Sequence, residues 1–281
     1  MMHPLKKLLL LFLLVPATTA IALDLSVMTF NVRYGLAKDG DNAWEHRKDF
    51  LIETIKQANP DVLGVQECLD FQAIYIAEKL PDFGWVGLGR QADGTGEMTA
   101  IFYRKRVLLP VETAHVWLSE TPDVPGSKSW DSSLPRIASR VKFVESTTGR
   151  PFVFYNTHFD HRGQIARLES AKLLSARIGA ETLPVVLVGD FNAVGGGSAP
   201  WAVLIENGLE DAWAIAAEKK GPTTTWNGFE RPADDDRRID WIVVTEGISV
   251  AQCSTLNRDF SGRYPSDHFP VTAQISLPNT D

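Results

Sequence analysis

Three features of the chain predict an α/β fold. Apolar runs such as Val185-Val186-Leu187-Val188 are unbroken and rich in β-branched residues, the pattern of strands covered on both faces. Segments of helical periodicity alternate with such runs, and Gly, Pro and Ser clusters separate them. The third feature is positional: strand after strand ends in an acid, amide or imidazole, and strand ends are where ligands bind in α/β sheets.

Taken in order, Leu25 to Val32 reads as a strand ending at Asn31, Trp44 to Ala58 as a helix, and "PDVLGVQE" as a strand ending at Glu67. Leu69 to Leu80 has helical periodicity. Strands follow at Phe83 to Leu88, Met98 to Tyr103, Val107 to Trp117, Ser139 to Val144 and Phe152 to Thr157. Arg162 to Ile178 is a helix, and "PVVLVGDFNAVGGGSAP" opens with the strand that stops at Asp190 and Asn192. "RIDWIVV" (238 to 244), "ISVAQCS" (248 to 254) and "FPVTAQIS" (269 to 276) complete the strands.

Ahead of these elements, Lys6 and Lys7 precede an apolar stretch from Leu8 to Val15 and a small-x-small site at Ala20-Ile21-Ala22. That is the pattern of a secretory signal peptide over residues 1–22, too short in its apolar core to span a bilayer. A periplasmic or secreted protein is expected, with residues 23–281 as one domain, no transmembrane segment after removal of the leader, and a monomeric state. The net charge of −7 becomes −9 once Lys6 and Lys7 leave with the leader. Such a surface disfavours sequence-blind attraction to nucleic acid. Cys68 and Cys253, the only cysteines, have no metal-type spacing and are expected to be buried thiols. The charged run Asp234 to Arg238 reads as a solvated turn.

Carboxylate and amide oxygens without thiolates suit a hard cation such as Mg²⁺ or Mn²⁺. Glu67 and Asp267 are the carboxylate candidates and Asn31 a neutral oxygen ligand; the competing reading of Glu67 is a cap for the helix from Leu69. His268, beside Asp267, is a candidate base whose ring Asp240 on another strand would orient, a pair able to activate water. No GxSxG elbow and no Cys–His pairing suggests a covalent intermediate.

"TFNVRYG", "GVQE", "GEMTAIFY", "NTHFDH", "GDFN", "RIDWI" and "SDHFPV" resemble, in this order, the motifs of the endonuclease/exonuclease/phosphatase superfamily (deoxyribonuclease I-like) across residues 25–276. The resemblance implies a four-layer α/β sandwich, two mixed β-sheets packed face to face with helices outside, and metal-assisted phosphoester hydrolysis. It implies Glu67 as the principal metal ligand with Asn31 and Asp267 near the ion. By the same resemblance Asp190 and Asn192 look like the pair that orients the attacking water and a phosphate oxygen, and His268 with Asp240 resembles the acid-base pair. His158 resembles the histidine that contacts the scissile phosphate, and Glu97 the glutamate hydrogen-bonded to it. Arg33 matches an arginine that stands near the phosphate in the deoxyribonuclease branch.

No branch of the family fits in full. Leu69 stands where deoxyribonuclease I relatives carry a minor-groove arginine, which argues against a nuclease, and the aromatic membrane-inserting hairpin of secreted sphingomyelinases is not evident, Phe260 and Tyr264 being its weak candidates. The stretches 119–136 and 160–167 read as loops that carry specificity. Arg136, Arg162 and Arg167 within them are able, with Arg33, to gather round one phosphate, surface salt bridging being the competing reading for Arg136 and Arg167. The expected activity is a phosphodiesterase acting on a small or headgroup-type phosphoester, such as a lipid headgroup or glycan-linked phosphate. A secreted nuclease is the alternative, and a non-catalytic binding module on the same fold the contrary class.

Overall fold

The computed structural model describes residues 23–230 and 235–278; the predicted leader and Asp234 lie outside the described residues. In chain order the elements are β1 (Leu23–Asn31), α1 (Trp44–Ala58), β2 (Val62–Cys68), α2 (Asp70–Lys79), β3 (Phe83–Val86), β4 (Met98–Arg104), β5 (Leu108–Trp117), β6 (Ile137–Glu145), β7 (Pro151–His158), α3 (Gln164–Gly179), β8 (Val185–Asp190), α4 (Ala199–Glu206), β9 (Leu209–Asp211), α5 (Ala212–Ile215), β10 (Glu218–Lys220), β11 (Asp240–Thr245), β12 (Ser249–Thr255) and β13 (Val271–Leu277).

One sheet has the order β10-β12-β13-β1-β2-β4-β3 and the other β5-β6-β7-β8-β11-β9. Each is mixed. At the centre of the first, β1 and β2 run parallel and β13 lies antiparallel to β1; in the second, β7 and β8 run parallel and β11 lies antiparallel to β8.

Three apolar layers show why the sheets stack with helices outside. Along β8, Val186 and Val188 join the cluster between the sheets, with Phe143 and Ile242, while Val185 and Leu187 join an outer cluster with Leu174 of α3 and Leu204 of α4. Along β1, Val27 faces the inner cluster and Met28 packs outward with Leu51 and Ile55 of α1. The period-2 alternation therefore puts apolar side chains on both faces of each central strand, as the unbroken runs predicted. Each such side chain contributes about 1.5–3 kcal/mol by leaving water.

The predicted helix Trp44 to Ala58 is observed with those bounds, and the predicted strands are present within a few residues. The stretch holding α4, β9, α5 and β10 was not predicted. Its short elements stand on tertiary contacts: Asp211 accepts from Trp201 Nε1 at 2.8 Å and forms a buried pair with Arg238 at 2.5 Å. That pair also corrects the solvated-turn reading of 234–238, since Arg238 is buried while Arg237 and Asp235 stay at the surface. Cys68 and Cys253 are free and buried, and burial pushes the Cys253 thiol up to about 12. Phe260 stacks on Phe50 and Tyr264 packs edge-on against Phe269, so neither forms a protruding aromatic hairpin. Among the described residues no helix is long and apolar enough to cross a membrane.

Candidate active site

Antiparallel strands begin where their parallel neighbours end, and this explains the strand-end pattern of polar residues. Asp240 opens β11 in register with Asp190 at the close of β8, and His158 at the end of β7 is also in register with Asp190. Asn31 closes β1, and Ser266, just ahead of β13, donates its hydroxyl to the Asn31 carbonyl at 2.7 Å. The two sheets thus deliver their polar ends to one cavity of about 470 Å³, which Glu67, His158, Asp190, Asn192, Asp267 and His268 all line.

The local backbone is bent to serve this cavity. Arg33, Glu67 and Asn192 have φ of 60°, 59° and 48°, a left-handed region that costs a non-glycine residue of order 1 kcal/mol or more and that clusters at functional sites. At Glu67 the strain accompanies a register shift between β2 and β4. Its carboxylate accepts from the Tyr34 N–H at 2.7 Å and from Asn31 Nδ2 at 3.0 Å. The helix-cap reading of Glu67 is therefore corrected: Gln72 accepts from the Leu69 N–H at 3.1 Å instead. Gln72 also accepts from Gly35 N–H and donates to the Arg33 carbonyl, and fully buried Arg47 donates to the carbonyls of Val32, Arg33 and Pro265. These two side chains fasten the loops that carry Arg33 and Asp267, and no local sequence signal marks them.

Asn31 Nδ2 also donates to Asp190 Oδ2 at 2.9 Å, so its amide ties Glu67 to Asp190, and its Oδ1 accepts from the Arg33 N–H at 3.0 Å. Asp190 Oδ1 accepts from the Asn192 N–H at 2.9 Å. His268 Nδ1 lies 2.9 Å from Asp240 Oδ2, and its Nε2 faces Asp190 Oδ2 at 3.8 Å. Burial alone would lower the His268 pKa, but Asp240 and Asp190 outweigh it and raise it well above the ordinary imidazole value. Burial and the Asp240 charge raise the Asp190 carboxyl. Burial, then the charges of Arg136 and Arg90, holds His158 well below its ordinary value. Arg136 Nη1, which can only donate, stands 3.2 Å from His158 Nδ1, and the other ring nitrogen, Nε2, faces Asp190 Oδ2 at 3.4 Å. The Asn192 amide lies 3.1 Å from that same Nε2.

Other predicted residues are placed differently from expectation. Glu97 lines the cavity but accepts from Arg90 Nη2 at 2.6 Å, and Arg136 takes the His158 nitrogen that Glu97 was expected to hold. Arg33 lines the cavity with its guanidinium paired to Asp39 at 2.9 Å and near Asp267 at 3.4 Å. Arg167 donates to the Asp160 carbonyl at 2.9 Å and Arg162 is exposed; neither lines the cavity. Tyr34, Arg90, Trp226 and Arg237 line it and were not predicted to. "LGRQ" around Arg90 carries no periodic or motif signal, and Trp226 enters through a backbone bridge to His268.

The loops 119–136 and 160–167 are joined by Asp160, which the sequence did not mark. Its side chain accepts from the backbone of Ser133, Arg162 and Gly163, from the Ser133 hydroxyl, and from Arg136 Nε at 3.4 Å. Burial pushes its carboxyl up, but these donors outweigh burial and hold it well below the usual carboxylate range. Asp160→Asn is expected to destabilise the protein by about 1–3 kcal/mol in denaturant titrations at pH 7. A depressed carboxylate stabilises above its unfolded pKa and loses that contribution as pH falls towards the folded one. The gap between wild type and variant should therefore shrink below about pH 4. A gap constant from pH 7 to pH 3 would exclude this role.

Acid and imidazole groups sit close enough to share an ion in two sets, Glu67 with His158 and Asp190, and Asp190 with Asp240 and His268. Asp267 falls outside both sets. The donors fit a hard cation: they are mostly oxygens, no cysteine lines the cavity, and burial raises both Asp190 and Asp267, a strain that positive charge would relieve. One buried oxygen, Asp240 Oδ1, has no partner among the described residues.

Residues 28–268 match the model of the Endonuclease/Exonuclease/phosphatase family. An endonuclease/exonuclease/phosphatase family protein from Bacteroides thetaiotaomicron is 33% identical with a TM-score of 0.87, over 92% of this chain and 100% of that one. A mannosyl-6-phosphatase of Bacteroides thetaiotaomicron is 34% identical with a TM-score of 0.84, over 89% and 99%. Nocturnin of Drosophila melanogaster is 22% identical over 83% of this chain, and the chain spans 42% of that relative's length.

Proposed function

The chain belongs to the endonuclease/exonuclease/phosphatase family, whose members hydrolyse phosphoesters, and from that premise we propose a divalent-metal-dependent hydrolase of compact phosphoesters, with a glycan-linked phosphate as the favoured substrate class. The observation that carries the reading is the convergence of the polar ends of both sheets on one cavity of about 470 Å³, the size of a small-ligand site. Two further facts support a compact substrate. Asp160 binds together the two loops beside the cavity, and a structure 34% identical to this chain is named as a mannosyl-6-phosphatase. The signal-peptide pattern in the sequence of residues 1–22 supports, as part of this proposal, export to the periplasm or beyond.

In this proposal Glu67 would hold Mg²⁺ or Mn²⁺, with Asn31 hydrogen-bonded to its carboxylate and Asp267 near but outside the sets that could share an ion. A bound divalent ion neutralises phosphate charge and polarises the bond to be broken. Asp190, fixed by the Asn31 amide and the Asn192 N–H, positions a water and accepts its proton. The water oxygen bonds to phosphorus opposite the ester oxygen, the P–O bond to the alcohol breaks, and the departing alkoxide is protonated from solvent. The sequence alone suggests His268 as the base. With two carboxylates keeping its proton on, His268 instead supplies positive charge, held by Asp240, to the phosphoryl oxygens. His158, kept neutral by burial and the Arg136 and Arg90 charges, lines the cavity beside Asp190.

The test compares 4-nitrophenyl phosphate, bis(4-nitrophenyl) phosphate, mannose 6-phosphate and plasmid DNA as substrates with Mg²⁺, Mn²⁺ or chelator. Turnover of at least one small ester that chelator abolishes is the expected result. KM for the best small ester should depend only weakly on salt, since such an ester carries no condensed counterions to release. Efficient plasmid nicking with a steep salt slope would establish a nuclease, and no turnover with any divalent ion a binding module.

A further inference from the structure

We propose that Arg90, oriented by Glu97 and set against Arg136, makes this site select a phosphomonoester over a phosphodiester, by donating to a phosphate oxygen that only a monoester leaves free. The proposal rests on the phosphoester-hydrolase reading above and replaces the diester preference expected from the sequence.

Two guanidiniums are almost wholly buried in the cavity wall, Arg90 at 6% and Arg136 at 4% exposure. Both line the cavity, and with His158 both line a small void of about 10 Å³, room for a single oxygen atom. The two are not equally satisfied. Arg136 spends its nitrogens on Asp160, His158 and His161. Arg90 donates only from Nη2, to Glu97, and its Nε is buried with no partner among the described residues.

Arg90 is also held rigidly. Trp117 Nε1 donates to its carbonyl at 2.8 Å, and its N–H donates to the Glu97 carbonyl at 3.1 Å. A buried cation without its full set of acceptors is costly, and a fixed one in the wall of a ligand site is a recognition element.

A monoester presents three terminal oxygens and a diester two. With two oxygens taken up on the Glu67 side of the cavity and by His158 and His268, the third of a monoester would meet Arg90. A diester would press its second ester group against that guanidinium and leave it unpaired. Sites built around a buried donor reject ligands that lack the matching acceptor by large factors.

The experiment measures kcat/KM for 4-nitrophenyl phosphate and bis(4-nitrophenyl) phosphate, each divided by its uncatalysed rate. Wild type should favour the monoester by about 10²-fold or more. The double variant Arg90→Met with Glu97→Gln removes both charges of the pair at similar volume. It should lose about 10–100-fold on the monoester and change little on the diester, and Arg90→Lys should recover part of the loss. A diester preference in wild type, or an equal loss on both substrates, overturns the proposal.

Calorimetry with inorganic phosphate and dimethyl phosphate separates this proposal from the broader one. If no ester turns over but wild type prefers phosphate and the double variant does not, the hydrolase reading fails and Arg90 keeps its role. If esters turn over and wild type shows no such preference, the hydrolase reading stands and Arg90 loses its role.

Discussion

His268→Ala is expected to lower turnover by about 10²-fold or more while leaving Mn²⁺ affinity nearly unchanged. His268 touches Asp240 and faces Asp190; it belongs to the second set that could share an ion, with Asp190 and Asp240, and not to the set of Glu67, where the proposal puts the metal. Removing it leaves two buried carboxylates, Asp190 and Asp240, facing each other across β8 and β11 without the cation between them. Asp240→Asn should reproduce much of the defect, because it keeps the shape and removes the charge that holds the imidazole protonated. Turnover at the wild-type level across pH 6 to 9 in Asp240→Asn would remove the pair from the mechanism. Calorimetry with Mn²⁺ on His268→Ala provides the second check, and a loss of binding equal to that of the Glu67 variant would merge the metal-holding and charge-supplying roles.

Glu67→Ala is expected to lose metal affinity and activity together. The affinity loss should reach at least the ~10–100-fold that removing an outer partner of a metal ligand costs. Glu67 shares its oxygens between the Tyr34 N–H and the Asn31 amide, so the substitution also frees Asn31 from one of its two carboxylates. The positive φ of Glu67 supplies a stability control. Glu67→Gly relieves backbone strain and should be about as stable as wild type or more so, yet as inactive as Glu67→Ala. Metal affinity retained in either variant would move the ion away from Glu67.

Much of this site was legible before the fold was known. Strand ends at Asn31, Glu67, Asp190 and Asp240 could be read because β-branched apolar runs that stop at a polar residue are a local signal. The ordered motifs then supplied the sandwich and the residues to seek. Arg90, Gln72, Arg47 and Asp160 were not legible: each acts through partners brought close by the tertiary fold, such as Arg47 on Pro265 and Asp160 on Ser133.

The sequence by itself determined the central strands of both sheets, the main helices and the acid, amide and imidazole residues gathered at the cavity, Glu67, His158, Asp190, Asn192, Asp267 and His268. Tertiary structure alone decided how their charges are spent. Glu97 belongs to Arg90 rather than His158, Arg33 is paired with Asp39, and Arg167 serves the loop rather than the substrate. The physical reason is one of range. Periodicity and burial follow from neighbours a few residues away, whereas hydrogen-bond partners and pKa shifts depend on distances of a few ångströms between groups as far apart in sequence as Asn31 and Asp190.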